Sequence, residues 1–128
     1  MIFGIGTDII EVARIDKQVS KDDSFRDRIF TPREIEYCEA RRSKAMNYAA
    51  RFAAKEAFFK AIGTGWRGGL AFRDVEIVND DLGRPSIELH GKAKEFAREH
   101  RLANIIVSMT HIKDMANAIV VIETDREE

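Results

Sequence analysis

The sequence has few features that would tie it to an oxidising compartment, to nucleic acid or to a membrane. Its one cysteine, Cys38, excludes an internal disulfide and fits the reducing cytosol. A net charge of −1 excludes an overall attraction to nucleic acid or to acidic membranes. No apolar run approaches the roughly 20 residues of a transmembrane helix, and the first residues lack a basic leader. These absences predict a cytoplasmic protein without nucleic-acid or membrane partners.

The remaining composition is that of an ordinary globular domain. Hydrophobic residues make up 45% of the 128 residues and charged residues 34%, which predicts one folded domain over residues 1–128. The residue periodicity predicts several strands with intervening helices, and therefore an α+β fold. The predicted strands are 1–9, 72–78, 86–89, 105–111 and 116–123; the predicted helices are 10–21, 45–62, 92–100 and one N-capped by Thr31. Residues 124–128 are predicted to form a frayed, charged tail.

The first predicted strand carries an acid among apolar residues. Residues 1–9 read as a mostly buried strand with Ile2, Ile5 and Ile9, and Asp8 interrupts it. A carboxylate in such a strand is uncommon unless it caps a helix, pairs with a cation or binds a metal. N-capping of the helix that follows explains Asp8 equally well on local grounds.

The predicted helix 45–62 carries two separate charged stripes. Arg51 and Lys55 lie within about 40° of each other, whereas Glu56 lies about 140° from Arg51 and pairs with Lys60. A helix packed on a core needs only one solvated face, so one stripe is expected to line something other than bulk water. The plain alternative is an exposed Glu-to-Lys pair at i,i+4, which is worth about 0.2–0.5 kcal/mol.

Asp8 and Glu56 together suit a magnesium ion. A helix cap does not explain Glu56, and Mg²⁺ typically takes one or two protein carboxylates plus phosphate oxygens. Lys60 is expected on the same helix face as Glu56, within reach of the same phosphate. If the two acids meet in space, they predict a Mg²⁺ ion shared with a phosphate-bearing substrate.

These segments resemble the two signature motifs of the 4′-phosphopantetheinyl transferase superfamily. The motif segments are Gly4-Ile5-Gly6-Thr7-Asp8 and Phe52-x-x-Lys55-Glu56-Ala57-x-x-Lys60. Further similarity lies in Gly63-Thr64-Gly65, Gly83-Arg84-Pro85 and Ser108-Met109-Thr110-His111. Their order and spacing extend the resemblance from about residue 1 to residue 123. The resemblance implies a single phosphopantetheinyl transferase-like domain, with an antiparallel sheet packed with helices.

The resemblance implies a reaction and its catalytic residues. Coenzyme A would donate its phosphopantetheine arm to a serine of apo-acyl carrier protein and release adenosine 3′,5′-bisphosphate, in support of fatty acid biosynthesis. Asp8 and Glu56 would hold Mg²⁺ on the coenzyme A pyrophosphate. Lys60 would supply positive charge or a proton to the leaving oxygens. Glu56, directly or through a water molecule, is the candidate acceptor of the serine proton.

The resemblance also implies contacts to coenzyme A. The implied contacts are Arg42, Lys60, Gly63, Thr64 and His111. Plain structural alternatives remain open for three of them. His111 also reads as a strand-end histidine, Gly63 as a helix C-cap and Arg42 as a solvated basic helix end.

A basic stripe on the predicted helix 10–21 is the candidate docking surface. Arg14, Lys17 and Lys21 lie opposite its apolar side, and the resemblance implies that they bind an acidic acyl carrier protein. A solvated helix face is the alternative. The resemblance further implies a homotrimer with active sites at subunit interfaces. Rival functions are a non-catalytic coenzyme A- or carrier-protein-binding module and a Mg²⁺-dependent phosphohydrolase.

Overall fold

Helices and strands alternate irregularly along residues 1–63 and 69–125, the part of the chain that a computed structural model describes. In chain order the elements are β1 (Ile2–Glu11), α1 (Val12–Lys21), α2 (Asp23–Ile29), α3 (Pro32–Glu39), α4 (Lys44–Ile62), a 3₁₀ turn (Phe72–Asp74), β2 (Val75–Asn79), β3 (Pro85–Leu89), α5 (Gly91–Glu99), β4 (Leu102–His111) and β5 (Met115–Thr124). The mixture of elements confirms the predicted α+β class.

The strands form one three-stranded sheet and one separate hairpin. The sheet has the antiparallel order β1-β5-β4, and β2 pairs with β3 in the hairpin. Helix α4 packs across one face of the sheet, mainly over β1 and β5. The main contributors to the core between them are Ala53, Ala57, Phe58, Ala61, Ala118, Val120 and Ile122. The predicted antiparallel sheet packed with helices is therefore confirmed.

Two glycines bring β1 unusually close to α4. A Cβ atom at Gly4 would lie 1.9 Å from the carbonyl oxygen of Ala61. One at Gly6 would lie 2.0 Å from the carbonyl oxygen of Ala57 and 2.7 Å from the amide nitrogen of Ala61. Because backbone atoms cannot rotate out of the way as a side chain can, only glycine fits at both positions.

The spacing of these contacts fixes how the strand and the helix are aligned. Two strand residues advance about 6.6 Å, and four helix residues advance about 6 Å, so each step along β1 matches about one turn of α4. Gly4 meets Ala61 and Gly6 meets Ala57, so the two elements run in opposite directions. A further step of two residues along β1 brings Asp8 beside the turn of α4 formed by residues 53–56.

The prediction that β1 is mostly buried was wrong for one of its faces. Ile5 is 67% exposed, and Ile2 and Ile9 are exposed as well. Since alternate residues of a strand point to opposite faces, the residues that face α4 leave the intervening isoleucines on the outer face of the sheet. An apolar run read without its partner strands does not show which face is covered.

Several helix boundaries differ from the predictions. Strand pairing of Ile10 and Glu11 with β5 delays the first helix until Val12. The short helix α2 was not predicted, because seven residues give almost no periodicity. By contrast, the capping box of Thr31 and Glu34 at the start of α3 is present as predicted.

The predicted C-terminal tail begins at Thr124, whereas β5 extends through this residue. Thr124 is buried in β5, and its hydroxyl shares its one hydrogen between the carbonyl oxygens of Arg101, at 2.8 Å, and His100, at 3.1 Å. The prediction of a frayed Thr124 was therefore wrong, and residues 126–128 lie outside the described part of the chain. Among the described helices, none is long and apolar enough to cross a membrane.

The close approach of β1 predicts that even a methyl group at position 6 is destabilising. Gly6→Ala should lower the free energy of unfolding by about 1–3 kcal/mol, because its Cβ would overlap backbone atoms of α4. Chemical denaturation measures the loss, and Gly6→Val should lose more. Gly83→Ala is the comparison for backbone strain, since that glycine has φ +86° but no atom within 4 Å of an added Cβ. Its loss should therefore not grow in Gly83→Val as the loss at Gly6 does, and a Gly6→Val variant no less stable than Gly6→Ala would contradict the steric explanation.

Candidate active site

Asp8 and Lys60 meet where β1 packs against α4. The Lys60 ammonium donates hydrogen bonds to Oδ1 of Asp8 at 3.0 Å and to the carbonyl oxygen of Thr7 at 3.1 Å. The Asp8 side chain is 15% exposed and that of Lys60 55% exposed, so the pair lies at the edge of the core. The N-cap of α1 is Glu11, which lies three residues beyond Asp8. Capping of α1 is therefore not the role of Asp8.

Glu56 completes a group of two carboxylates and one lysine. Its side chain is half-buried, and its burial raises the pKa of the carboxyl. The negative charge of Asp8 raises that pKa further, while Lys60 and Arg14 lower it. Within the described residues Lys60 pairs with Asp8 and not with Glu56, so the simple i,i+4 alternative does not describe this pair.

The chemistry of this donor set fits a magnesium ion. The described residues contain no group of three or more His, Cys, Asp or Glu side chains that would enclose a metal. Two carboxylates that influence each other electrostatically, half-open to solvent, match an ion that takes one or two protein ligands and completes its shell with phosphate and water oxygens. Asp8 and Glu56 would be the two protein ligands.

One further side chain, which was not predicted from the sequence, orders this region. The amide of Asn117, on β5, donates a hydrogen bond of 2.9 Å to the carbonyl oxygen of Asp8 and lies 3.5 Å from the hydroxyl of Thr7. It therefore supports the backbone that carries Asp8. The sequence did offer one signal, because Asn117 is a polar residue between Ala116 and Ala118 in an otherwise apolar strand.

The second charged stripe of α4 is buried inside the protein. The guanidinium of Arg51 bonds to the side chain of Asn79 and lies over the ring of Tyr37. Lys55 is fully buried and forms an ion pair with Glu34. Of the two stripes, the one formed by Glu56 and Lys60 faces Asp8 and solvent.

The other predicted coenzyme A contacts are not gathered beside Asp8 in this chain. His111 ends β4, and two strand spacings put its backbone about 10 Å from β1. Arg42 precedes α4, whose first residue is about 18 Å along the helix axis from Glu56. Both side chains are exposed. Gly63 caps α4 with φ +79°, and Thr64 lies outside the described residues.

The predicted basic stripe borders the site. Arg14, Lys17 and Lys21 are exposed on α1, and none of them forms an ion pair within residues 1–63 and 69–125. The charge of Arg14 reaches Glu56, whose pKa it lowers. The stripe thus begins next to the carboxylates and continues away from them along the helix.

Comparison with known proteins connects this geometry to one family. The sequence model described as the 4′-phosphopantetheinyl transferase superfamily matches residues 4–116. A holo-[acyl-carrier-protein] synthase of Geobacter sp. (strain M21) is 48% identical over 124 residues, covering 96% of this chain and 99% of that protein.

Solved structures show the same similarity. The crystal structure of holo-[acyl-carrier-protein] synthase from Neisseria meningitidis has a TM-score of 0.88 at 38% identity, covering 97% of this chain and 100% of that one. The enzyme from Bacillus anthracis, in complex with CoA (3′,5′-ADP), has a TM-score of 0.81 at 37% identity and covers 98% of this chain and 99% of its own.

Proposed function

The chain belongs to the 4′-phosphopantetheinyl transferase superfamily, and we propose that it acts as a holo-[acyl-carrier-protein] synthase. It transfers the 4′-phosphopantetheine group of coenzyme A to a serine of apo-acyl carrier protein, which leaves adenosine 3′,5′-bisphosphate. Fatty acid biosynthesis would use the holo-carrier protein. The observation that carries the proposal is the meeting of Asp8, Glu56 and Lys60 where β1 packs against α4.

Asp8 and Glu56 are the proposed magnesium ligands. When bound, Mg²⁺ would neutralise negative charge on the pyrophosphate of coenzyme A. The two carboxylates supply hard oxygen ligands and leave the remaining positions to substrate and water. In the free protein, Lys60 compensates part of their charge through its contact with Asp8.

Lys60 and Glu56 have further proposed roles in the transfer. Lys60 carries a half-exposed ammonium next to the carboxylates, where it can donate a hydrogen bond or a proton to the oxygens of the leaving phosphate. Glu56 is the proposed acceptor of the serine proton, directly or through a water molecule. Burial raises the pKa of Glu56 in the free protein, whereas a bound Mg²⁺ would lower it and so reduce the strength of Glu56 as a base.

The outer face of the sheet supports a homotrimer with active sites between subunits. Ile5, Val121 and Ile106 form one row across the strands, and the two isoleucines are exposed. An apolar patch of this kind typically marks a protein–protein interface. Since Arg42 and His111 lie away from Asp8 in one chain, a neighbouring subunit would supply these contacts. Gly63, the C-cap of α4, and Thr64, the next residue in the sequence, remain proposed contacts.

Two rival functions differ in what they require. A non-catalytic binding module would need no catalytic lysine beside the carboxylates. A Mg²⁺-dependent phosphohydrolase would need no acceptor protein and would release free phosphopantetheine. The exposed basic stripe beside the carboxylates favours an acidic protein acceptor over the phosphohydrolase. The presence of Lys60 beside Asp8 and Glu56 argues against the binding module. The cytoplasmic location stays a prediction.

Incubation of the protein with apo-acyl carrier protein, coenzyme A and Mg²⁺ tests the function. The intact mass of the carrier should increase by one phosphopantetheine group, and adenosine 3′,5′-bisphosphate should accumulate in equal amount. A carrier whose acceptor serine is replaced by alanine is the control. Release of phosphopantetheine without modification of the carrier would favour the hydrolase, and no turnover would favour the binding module.

The metal proposal predicts large effects from nearly isosteric substitutions. Asp8→Asn and Glu56→Gln should each reduce the transfer rate by roughly 100-fold or more, because a neutral amide is a poor ligand for Mg²⁺ and metal stabilisation is worth several kcal/mol. Calorimetric titration of coenzyme A with and without Mg²⁺ should show that both variants lose the metal-dependent part of binding. Glu11→Gln, an exposed acid at the end of β1, is the control. Wild-type rates at limiting Mg²⁺ in either site variant would exclude the two-carboxylate site.

The assembly proposal predicts a trimer of the 14.6 kDa chain. Light scattering should give about three times the chain mass. Ile106→Asp should dissociate the assembly and abolish most activity, because burying an unpaired carboxylate in an apolar interface is costly. Leu82→Asp changes a residue that is 95% exposed in the β2–β3 turn and should leave the trimer intact. A fully active monomer would contradict active sites between subunits.

The docking proposal predicts a salt-dependent effect on one substrate only. Lys17→Glu is a cleaner probe than Arg14→Glu, since the charge of Arg14 also reaches Glu56. The variant should raise the Michaelis constant for the carrier protein, most strongly at low salt, where the Debye length exceeds about 10 Å. The constant for coenzyme A should hardly change. Arg98→Glu on α5 is the control, and equal effects of both reversals would show that the stripe is only a solvated face.

A further inference from the structure

Lys55 precedes the proposed metal ligand Glu56 but is enclosed in the protein. Its side chain is fully buried, and its ammonium donates to Oε1 of Glu34 at 2.8 Å and to the carbonyl oxygens of Phe72 at 3.1 Å and Val75 at 2.6 Å. These three acceptors use all three donors of a lysine. Lys55 therefore has no donor left for a ligand, although it stands between candidate site residues in the sequence.

Glu34, which lies on α3, also accepts hydrogen bonds from two backbone amides. Its Oε1 also accepts a hydrogen bond of 2.9 Å from the backbone amide of Thr31, at the start of α3. Its Oε2 accepts one of 2.9 Å from the amide of Ile77 in β2. One buried ion pair thus joins α3, α4 and β2 through bonds of defined direction.

The contacts of Lys55 and of the β1 glycines lie on opposite sides of α4. Taking the direction of Lys55 as zero, Ala57 lies at about 200° and Ala61 at about 240° around the helix. Glu56, at about 100°, and Lys60, at about 140°, lie on the edge between these two sides. The rotation of α4 about its axis therefore decides whether both side chains face Asp8.

We infer that Lys55 is a positioning residue, which fixes the rotation of α4 so that Glu56 and Lys60 face Asp8. The inference rests on the proposed transferase function. The glycine contacts hold one side of α4 by shape alone, without a hydrogen bond of defined direction between side chains. A fully bonded ammonium on the other side tolerates little rotation, because any rotation breaks bonds that are buried and cannot be replaced by water.

The alternative is that Lys55 only stabilises the fold, and two variants separate the roles. Lys55→Met fills the space of the lysine but leaves the Glu34 carboxylate buried without its cation, which is strongly destabilising. Lys55→Met/Glu34→Gln removes both charges, and the glutamine oxygen can still accept from one of the two backbone amides, Thr31 or Ile77, that Glu34 binds. The double variant should recover part of the thermal midpoint that the single variant loses.

Kinetics of the double variant test the positioning role. At saturating substrates its kcat should be at least tenfold below that of the wild type, and the Mg²⁺ concentration for half-maximal rate should rise at least threefold. The Michaelis constant for the carrier protein should stay unchanged, because α1 is untouched. All rates are expressed per folded molecule, measured by circular dichroism well below the midpoint of each variant. A kcat of the double variant within twofold of the wild-type value would overturn the inference. This holds even if the double variant remains less stable than the wild type, because the rates are expressed per folded molecule.

Tyr48→Phe is the matched control on the same helix. Tyr48 is buried, and its hydroxyl donates to Glu39 of α3 at 2.7 Å, so the variant loses a polar contact between the same two helices, away from the site. It should lower stability and leave kcat and the Mg²⁺ requirement unchanged. Failure of the wild-type chain to modify the carrier protein would overturn the proposed function itself. Transfer by the wild type with an unaffected double variant would overturn only the role of Lys55.

Discussion

Gly4 and Gly6 let the backbone of β1 approach α4 until no Cβ atom would fit between them. This contact determines both the separation and the alignment of the two elements, because about one turn of the helix matches two residues of the strand. Asp8 follows the second glycine at the same spacing and so reaches the turn of α4 before Ala57. An added methyl group at either glycine would widen the gap between β1 and α4 and would move Asp8 away from both Lys60 and Glu56.

The same contact gives the sheet two different faces. The inner face is closed against α4, and the alternate residues, such as Ile5 and Ile106, are left on the outer face. An apolar strand therefore looked fully buried in the sequence although only half of it is buried in this chain. Periodicity predicted the long helix and the strands well, because these depend on local pattern. It did not predict α2, which is short, or the face of each strand, which depends on distant partners.

The same distinction applies to the candidate site: residues in local motifs were predicted, and contacts between residues distant in the sequence were not. Asp8, Glu56 and Lys60 were predicted because each stands in a short motif or breaks an apolar pattern, and the structure brings them together. Asn117 was missed because its bond to the β1 backbone spans more than a hundred residues of sequence. The pairing of Lys55 with Glu34 was missed for a related reason. The predicted capping box already gave Glu34 a hydrogen-bond partner at the start of α3, and nothing in the sequence indicated a second partner.

The electrostatics of the site suit the proposed cation and a phosphate-bearing substrate. Partial burial raises the pKa of the Glu56 carboxyl, and the negative charge of nearby Asp8 raises it further. Lys60 and Arg14 offset only part of the unfavourable energy, and both reach outward toward solvent. A divalent cation would relieve the repulsion between the acids, and once it binds them it would free Lys60 to interact with a phosphate. The buried Lys55–Glu34 pair cannot respond in this way, since every donor of the lysine is already bonded, and this rigidity suits it to hold the responsive groups in place.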